Sequence, residues 1–355
     1  MILELDGISH RYGEEVAVRD VSFGVEPGEL VAVLGPSGCG KTTIVQSIAG
    51  HVHPTSGRVL LRGEDVTGDS PESRQIGLMF QRSTLYPHMT VGENVAYGLV
   101  PRNIDGGERR ETVATFLDLV DLEDQRESYP HELSGGQRRR AELARALAPQ
   151  PDVLLLDEPL SGLDRALRER LQQEFVRIQR ETGVTTLFVT HDQEEAMTMA
   201  DRLVVMADGT VSGIGTPRAL YDSPPTAFIA SFLGRSNSLE STVVGADPLR
   251  ITLGGRNVTV ADYSPGCAKG ETVSCHIRPD QVWLNGDRGN GRLSIPGEVV
   301  QVTDIGRRFD VTVRLESDEE VLVEHGGDPP SVGEVVDVSV PTNDLTVFGE
   351  QVEDQ

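Results

Sequence analysis

The sequence predicts an α/β domain with a mainly parallel sheet, interrupted by a helical insertion and followed by a small all-β barrel. Three observations predict it. Short apolar segments, Leu30 to Leu34, Val153 to Leu156 and Thr186 to Val189, alternate with helical stretches before residue 235, as a sheet covered on both faces by crossover helices requires. Between about Thr84 and Pro149 that strand signal vanishes. After Arg235 the chain turns to runs that alternate apolar and polar residues between glycine-rich turns, the two-residue period of a sheet with one buried face.

In chain order, Met1 to Asp6 has neither a basic region nor an apolar stretch of leader type, and no apolar run approaches the ~18 residues that cross a bilayer. Any membrane role is therefore expected to act through a partner. The strand Leu30 to Leu34 runs into Gly35-Pro36-Ser37-Gly38-Cys39-Gly40-Lys41-Thr42, the spacing of a phosphate-cradling P-loop. Gly35, Gly38 and Gly40 let backbone N–H groups face phosphates at the start of a helix running from about Lys41 through Thr43 to Ala49, and the Thr42 hydroxyl suits Mg²⁺. Lysine occupies only 2 of 355 positions, and Lys41 is one of them. A compact ammonium slips between β- and γ-phosphate oxygens, where a planar guanidinium would crowd the glycine nest. The loop makes the chain a P-loop NTPase that handles a nucleoside triphosphate, and leaves kinase, GTPase and transport ATPase open.

Farther along, Glu108 to Leu122 has helical periodicity, placing a helical subdomain at about residues 84–150. In Asp164 to Glu181, Leu167, Leu171, Phe175 and Ile178 share one helix face, and Gly183 suits its end. In the last part, Val311, Val313 and Leu315, then Val321 and Val323, then Val336, Val338 and Val340 mark strands, before an acidic tail at Glu350 to Gln355.

Acidic residues outnumber basic ones 56 to 32, a formal charge of −24, which argues against an unassisted grip on nucleic acid or an anionic membrane. Acidity with almost no lysine points to a high-salt cytoplasm, that of a halophile. Cys39, Cys267 and Cys275 are an odd set without paired spacing, so neither a disulfide framework nor a zinc site is expected.

Leu133-Ser134-Gly135-Gly136-Gln137 is followed, 20 residues after Gln137, by Asp157-Glu158 at the end of an apolar strand. With the P-loop, this pair resembles the ATP-binding cassette (ABC) family over nearly all of residues 1–234. The resemblance implies a RecA-like core with an antiparallel β subdomain and a helical subdomain, with ATP and Mg²⁺ as ligands. It implies roles residue by residue. Ser134, Gly135, Gly136 and Gln137 form the signature, opening a helix around Arg138 to Ala148 toward a γ-phosphate. Asp157 holds the magnesium shell and Glu158 polarises the attacking water. Gln81 resembles the Q-loop glutamine, reaching Mg²⁺ or the water. Ser161-Gly162-Leu163-Asp164 matches the D-loop, with glycine where alanine is commoner, a change expected to loosen the turn. His191 resembles the switch histidine that contacts the γ-phosphate and supports Glu158. Tyr12 stands where the family stacks an aromatic ring on adenine, and Val18 is expected against the same base or ribose.

The family places the signature of one cassette on the nucleotide of another. One copy of each motif is present, so two chains are needed, and a head-to-tail homodimer is favoured, with a heterodimer left open. Only 51 residues separate Gln81 from Leu133, too few for the heptad insertion of DNA-repair relatives, and a single cassette does not fit the translation factors. Phe80 to Gly98 resembles the importer segment that receives the coupling helix of a membrane subunit, implying two integral-membrane permease subunits, an extracytoplasmic solute-binding protein, and a peripheral place on the cytoplasmic face of the membrane. Ile277-Arg278-Pro279-Asp280-Gln281-Val282 resembles the TOBE domain appended to importer ATPases, here residues 235–355 with an oligonucleotide-binding-like (OB-like) fold. That part holds 21 acidic and 10 basic residues with Tyr263, Trp283, Phe309 and Phe348 as its aromatics, no cationic stacking groove, so regulation or dimer support is expected rather than nucleic-acid binding. The implied cargo is iron(III), polyamine, thiamine or an oxyanion. A sugar importer and a regulatory or nucleic-acid-linked ATPase are the alternatives.

Overall fold

The computed structural model describes residues 1–100, 105–260, 262–263, 267–286 and 292–349, with Asp262 and Tyr263 described for their backbone alone. The acidic tail read at Glu350 to Gln355 lies outside the described residues. The chain divides into two compact units, Met1–Arg218 and Ala219–Gln355.

The first unit runs β1 (Leu3–Tyr12), β2 (Glu15–Val25), β3 (Leu30–Leu34), α1 (Lys41–Ala49), β4 (Ser56–Leu61), β5 (Glu64–Asp65), β6 (Ile76–Met79), α2 (Val91–Tyr97), α3 (Gly106–Leu119), α4 (Gly135–Leu147), β7 (Val153–Asp157), α5 (Arg165–Thr182), β8 (Thr185–Thr190), α6 (Gln193–Met199), β9 (Arg202–Ala207) and β10 (Thr210–Gly215). One sheet has the order β2-β1-β4-β5 and is antiparallel. The other has the order β10-β9-β3-β8-β7-β6, parallel except for the edge strand β10. All five residues of β3 are buried, which is why its sequence is apolar without alternation. The helix α1 lies between the sheets: Ile44, Val45 and Ile48 share a core with Leu3, Leu5 and Val59 of the antiparallel sheet and Val31, Leu155 and Leu187 of the parallel one. Helices α2, α3 and α4 pack on one another as the inserted helical subdomain. Within it α2 begins at a reciprocal cap, the Thr90 hydroxyl accepting from the Glu93 N–H and the Glu93 carboxylate from the Thr90 N–H.

The second unit opens with most of α7 (Pro217–Asp222) and α8 (Ala227–Phe232), followed, among the described residues, by eleven strands from β11 (Asn237–Ala246) to β21 (Thr346–Gly349). These form a six-stranded and a five-stranded sheet around one core, in which Val311, Val313, Leu315, Val321, Val323, Val336, Val338 and Val340 are all buried. The unit starts before the change of texture at residue 235 because Arg278, itself buried, fastens the preceding helices to the strands. Its guanidinium donates to the carbonyls of Tyr221 (3.0 Å), Ala230 (2.8 Å) and Arg235 (3.1 Å) and lies over the Tyr221 ring.

Candidate nucleotide site

Four neighbouring parallel strands, β3, β8, β7 and β6, end level with one another: Leu34 pairs with Thr190, Asp157 with Val189, and Met79 with Leu156. The residues that follow these ends are the P-loop, His191, Glu158 and Gln81. The carboxyl edge of a parallel sheet is where the strand-to-helix turns leave room for a ligand, and here four such turns face one another.

The P-loop folds as its glycines require. Gly40 caps α1 in the left-handed region at φ 97°, and a Cβ there would sit 2.3 Å from Val18 Cγ1 and 2.5 Å from the Ala17 carbonyl. Any side chain would thus meet both backbone strain and a wall. Pro36, Ser37 and Gly38 are exposed, and Lys41 is buried beneath them. Its Nζ donates to the carbonyls of Gly35 and Pro36, each at 2.8 Å, which draws the loop around the ammonium. Thr42 is exposed on the first turn of α1, whereas Thr43 is buried. Cys39 turns into the core, and burial pushes its thiol pKa up. A ligand above the loop meets the Cys39 backbone, not its sulfur.

Val18 is fully buried and packs under Gly40, where it supports the P-loop. Tyr12 remains half exposed at the β1–β2 hairpin, edge-on to His10 with ring centroids 4.6 Å apart.

Glu158 is the junction of the site. Its backbone N–H extends the ladder to the Val189 carbonyl at 2.9 Å, and its φ of 45° turns the chain out of the sheet. Such a conformation costs a non-glycine residue about 1–3 kcal/mol and persists only where neighbours hold it. The carboxylate is held on both oxygens: Gln81 Nε2 donates to Oε2 at 2.7 Å, and His191 Nδ1 lies 3.0 Å from Oε1. Three residues far apart in sequence thus meet on one carboxyl group. Beside them, burial and then the Glu158 charge raise the Asp157 carboxyl above its ordinary pKa, while Lys41 opposes the rise. A half-buried acid that resists its own charge is suited to a cation. With the exposed Thr42 hydroxyl it offers hard oxygen donors beside a phosphate cradle, the partial shell that Mg²⁺ takes when it keeps waters and phosphate oxygens. The residues fit the ion.

The signature helix begins earlier than expected. Ser134 is the cap and α4 starts at Gly135, with the Ser134 hydroxyl accepting from the Gln137 N–H (3.2 Å) and Gln137 Oε1 accepting from the Ser134 N–H (2.8 Å). A hydroxyl that accepts in this way keeps its own proton to donate. Asp164 caps α5 through the Leu167 N–H at 3.0 Å. Gly162 sits at φ 73°, a conformation in which alanine would be strained. The D-loop glycine is therefore what this turn requires, not a loosened version of it.

Several positioning residues escaped the sequence reading. Arg168 joins the D-loop to the switch by donating to the Leu163 carbonyl (3.3 Å) and to Asp192 Oδ2 (3.0 Å). Arg139 and Glu142 on α4 reach the backbone of the Q-loop. Each lies in an arginine- or glutamate-rich helix whose spacing gives no sign of a buried partner.

A protein-family model for ABC transporters matches residues 18–161, and one for the TOBE domain matches residues 275–348. The spermidine/putrescine import ATP-binding protein PotA of Thermobifida fusca is 43% identical over 326 residues, spanning 90% of this chain and 85% of that protein. The chain belongs to the ABC transporter family. The Fe(3+) ions import ATP-binding protein FbpC of Rhizobium etli is 40% identical over 324 residues, 90% of either chain. Among solved structures, cbiO1 from Clostridium perfringens, part of the ABC transporter complex cbiONQ, superposes with a TM-score of 0.58 at 30% identity over 62% of this chain and 90% of its own. The ATP-binding cassette MJ0796, in a dimeric post-hydrolysis state bound to ADP and Pi, gives 0.54 at 31% identity over 61% of this chain and 99% of its own. The chain is thus an ATP-binding, ATP-hydrolysing cassette followed by a TOBE domain, and among the described residues no helix is long and apolar enough to cross a membrane.

Proposed function

We propose that this cassette powers a solute importer as a head-to-tail homodimer, peripheral to the cytoplasmic face of the membrane, with two permease subunits and, through them, an extracytoplasmic solute-binding protein. The observation that carries the hydrolytic reading is the convergence of Gln81 and His191 on the Glu158 carboxylate beside the P-loop. Glu158 takes a proton from the attacking water as its oxygen bonds to the γ-phosphorus and ADP leaves. His191 and Gln81 fix the carboxylate, so that water meets a base already aimed. Lys41, buried beneath the loop, pairs with β- and γ-phosphate oxygens when the nucleotide is seated. Thr42, Asp157 and Gln81 hold Mg²⁺, which when bound neutralises phosphate charge. Tyr12 stacks on adenine. Ser134 and the first N–H groups of α4, with Asp164 beside them, complete the site of the partner copy.

The permease docks on Phe80 to Gly98. An open groove of about 620 Å³ there is lined by Phe80, Tyr86, Tyr97 and Arg145, with the two tyrosine rings 4.6 Å apart. Relatives named for spermidine/putrescine and for Fe(3+) support a polyamine or ferric iron as cargo. Residues 1–234 act as the motor, and residues 235–355 regulate it or steady the dimer. The acidic, lysine-poor composition supports a halophilic origin.

Glu158→Gln tests the motor. The amide oxygen can still accept from Gln81 while its NH₂ donates to a neutral His191, so the network survives and only the base is lost. Phosphate release is expected to fall about 10²–10⁴-fold, while Mg·ATP drives the chain into dimers seen by light scattering. Near-normal turnover would remove Glu158 from its role, and a chain that stays monomeric with Mg·ATP would remove the shared seam. Uptake of labelled putrescine and of Fe(3+) by cells with and without the chain decides the cargo.

A further inference from the structure

The signature helix grips the Q-loop by its backbone. Arg139 Nη1 donates to the Phe80 carbonyl at 3.1 Å, and its other Nη donates to the carbonyl of Gln81. The same guanidinium pairs at 3.1 Å with Glu142, one turn along α4, and the Glu142 carboxylate accepts the Thr84 N–H at 2.8 Å. The side chains of Arg139 and Glu142 are 10% and 2% exposed. The ion pair is thus shut away from water, where its bonds are strong and its geometry is fixed. One turn farther, Arg145 donates to the Thr84 carbonyl at 2.7 Å. Residues 139, 142 and 145 form one stripe of α4, and that stripe holds residues 80, 81 and 84.

We propose that Arg139 and Glu142 are positioning residues for hydrolysis, fastening Gln81 to the signature helix so that seating of Ser134 on a nucleotide and placement of the Gln81 amide at Glu158 are one movement. The inference rests on the hydrolytic reading above. Only four residues separate Ser134, the cap of α4, from Arg139, less than two turns of a continuous helix. A displacement of the cap therefore carries the guanidinium with it, and the guanidinium carries the Gln81 carbonyl. Because Ser134 serves the partner's nucleotide and Gln81 its own, the clamp links the two sites of the dimer. A buried ion pair that merely filled space would need no bond to the Q-loop. This one spends two arginine N–H donors and one carboxylate oxygen on it.

The test is a double-mutant cycle in the full chain, read as ATP hydrolysis at saturating Mg·ATP. Arg139→Met with Glu142→Leu removes the clamp as a unit, which spares the protein a stranded buried charge. Its hydrolysis is expected to drop about tenfold or more, since misplacing a group that touches the base by ~1 Å costs that much. In a Gln81→Ala background the same pair is expected to cost less than about twofold, because the group it positions is gone. Equal fractional losses in both backgrounds would overturn the proposal, since a general loss of stability does not depend on Gln81. If the paired variant does not purify folded, Arg139→Lys goes through the same cycle. It keeps the charge beside Glu142 but cannot span two carbonyls as a fork does. Glu158→Gln is the control for the underlying reading. If it hydrolyses normally, the catalytic assignment fails; if it is inactive while the cycle is additive, only the clamp fails.

Discussion

Arg74→Met isolates the support of the P-loop helix from its chemistry. Arg74 is buried, 5% exposed, and its guanidinium donates to the carbonyls of Ser47 (2.7 Å) and Ile48 (2.6 Å) at the end of α1, Thr67 (3.0 Å), and Asp69 (3.1 and 3.2 Å). The last turn of α1 has no basic residue of its own, so this distant arginine meets the negative end of the helix dipole. Methionine keeps the length and the stem packing but removes every donor. Ser47 keeps a bond from the Gly50 N–H and Thr67 keeps one from His53, whereas Ile48 and Asp69 lose the donors the structure gives them. The Asp69 carbonyl belongs to an exposed residue and can turn to water, so one stranded carbonyl, that of the fully buried Ile48, costs about 1–3 kcal/mol. Burial holds the Arg74 pKa down, a desolvation cost that the variant relieves, so about 1–2 kcal/mol is expected. Urea unfolding of the full chain, followed by tryptophan-independent far-UV dichroism, reads it as an earlier first transition with unchanged slope. A shift below about 0.5 kcal/mol, the range of an ordinary surface substitution, would refute the claim that these carbonyls depend on Arg74.

Two further predictions bear on the nucleotide itself. Lys41→Ala is expected to weaken ATP binding about tenfold to a hundredfold, the worth of a charged hydrogen bond to phosphate, and unchanged binding in a fluorescent-nucleotide titration would count against the P-loop assignment. Ser134→Asp keeps a good helix cap, so urea stability is expected within about 0.5 kcal/mol of the parent. Its carboxylate would face the partner's γ-phosphate, so dimers driven by Mg·ATP are expected to vanish from light scattering, and their persistence would place Ser134 away from the seam.

What could be read in the sequence follows from how local each constraint is. The P-loop, the signature and Asp157-Glu158 are legible because phosphate, a helix start and a strand end each demand particular residues within a few positions. The sheet was legible because β3, β7 and β8 are apolar on both faces. The burial of Val18 was not legible because alternation fails where β1 and β2 pair: the register shifts between Ile8 and His10 and again before Arg11, so counting by twos does not say which face a residue takes. The start of α4 falls before Arg138 because Ser134 with Gln137 three residues on is a reciprocal cap, a spacing the sequence reading did not use. Arg74, Arg139 and Arg168 were invisible for another reason. Their partners are mostly backbone carbonyls, up to 59 residues away for Arg139, and a carbonyl leaves no mark on the identity of the residue that carries it.

That last point gives the scarcity of lysine a structural meaning. Of the 32 basic side chains, 2 are lysines: Lys269 lies in an exposed turn and Lys41 is buried in the P-loop. The buried positions that hold separate segments together carry arginine instead. Arg74 joins the end of α1 to the turn at Thr67 and Asp69, Arg139 joins α4 to the Q-loop, and Arg278 joins α7 and α8 to the strands of the second unit. Each holds two or more carbonyls at once, a task for a rigid fork of five donors. An ammonium at the end of a flexible stem gathers its acceptors around one point, which suits the P-loop, where the Gly35 and Pro36 carbonyls converge on Lys41. Exchanging the two residue types should therefore damage the chain at both kinds of site, at the clamps by leaving carbonyls beyond reach and at the P-loop by overfilling the cradle.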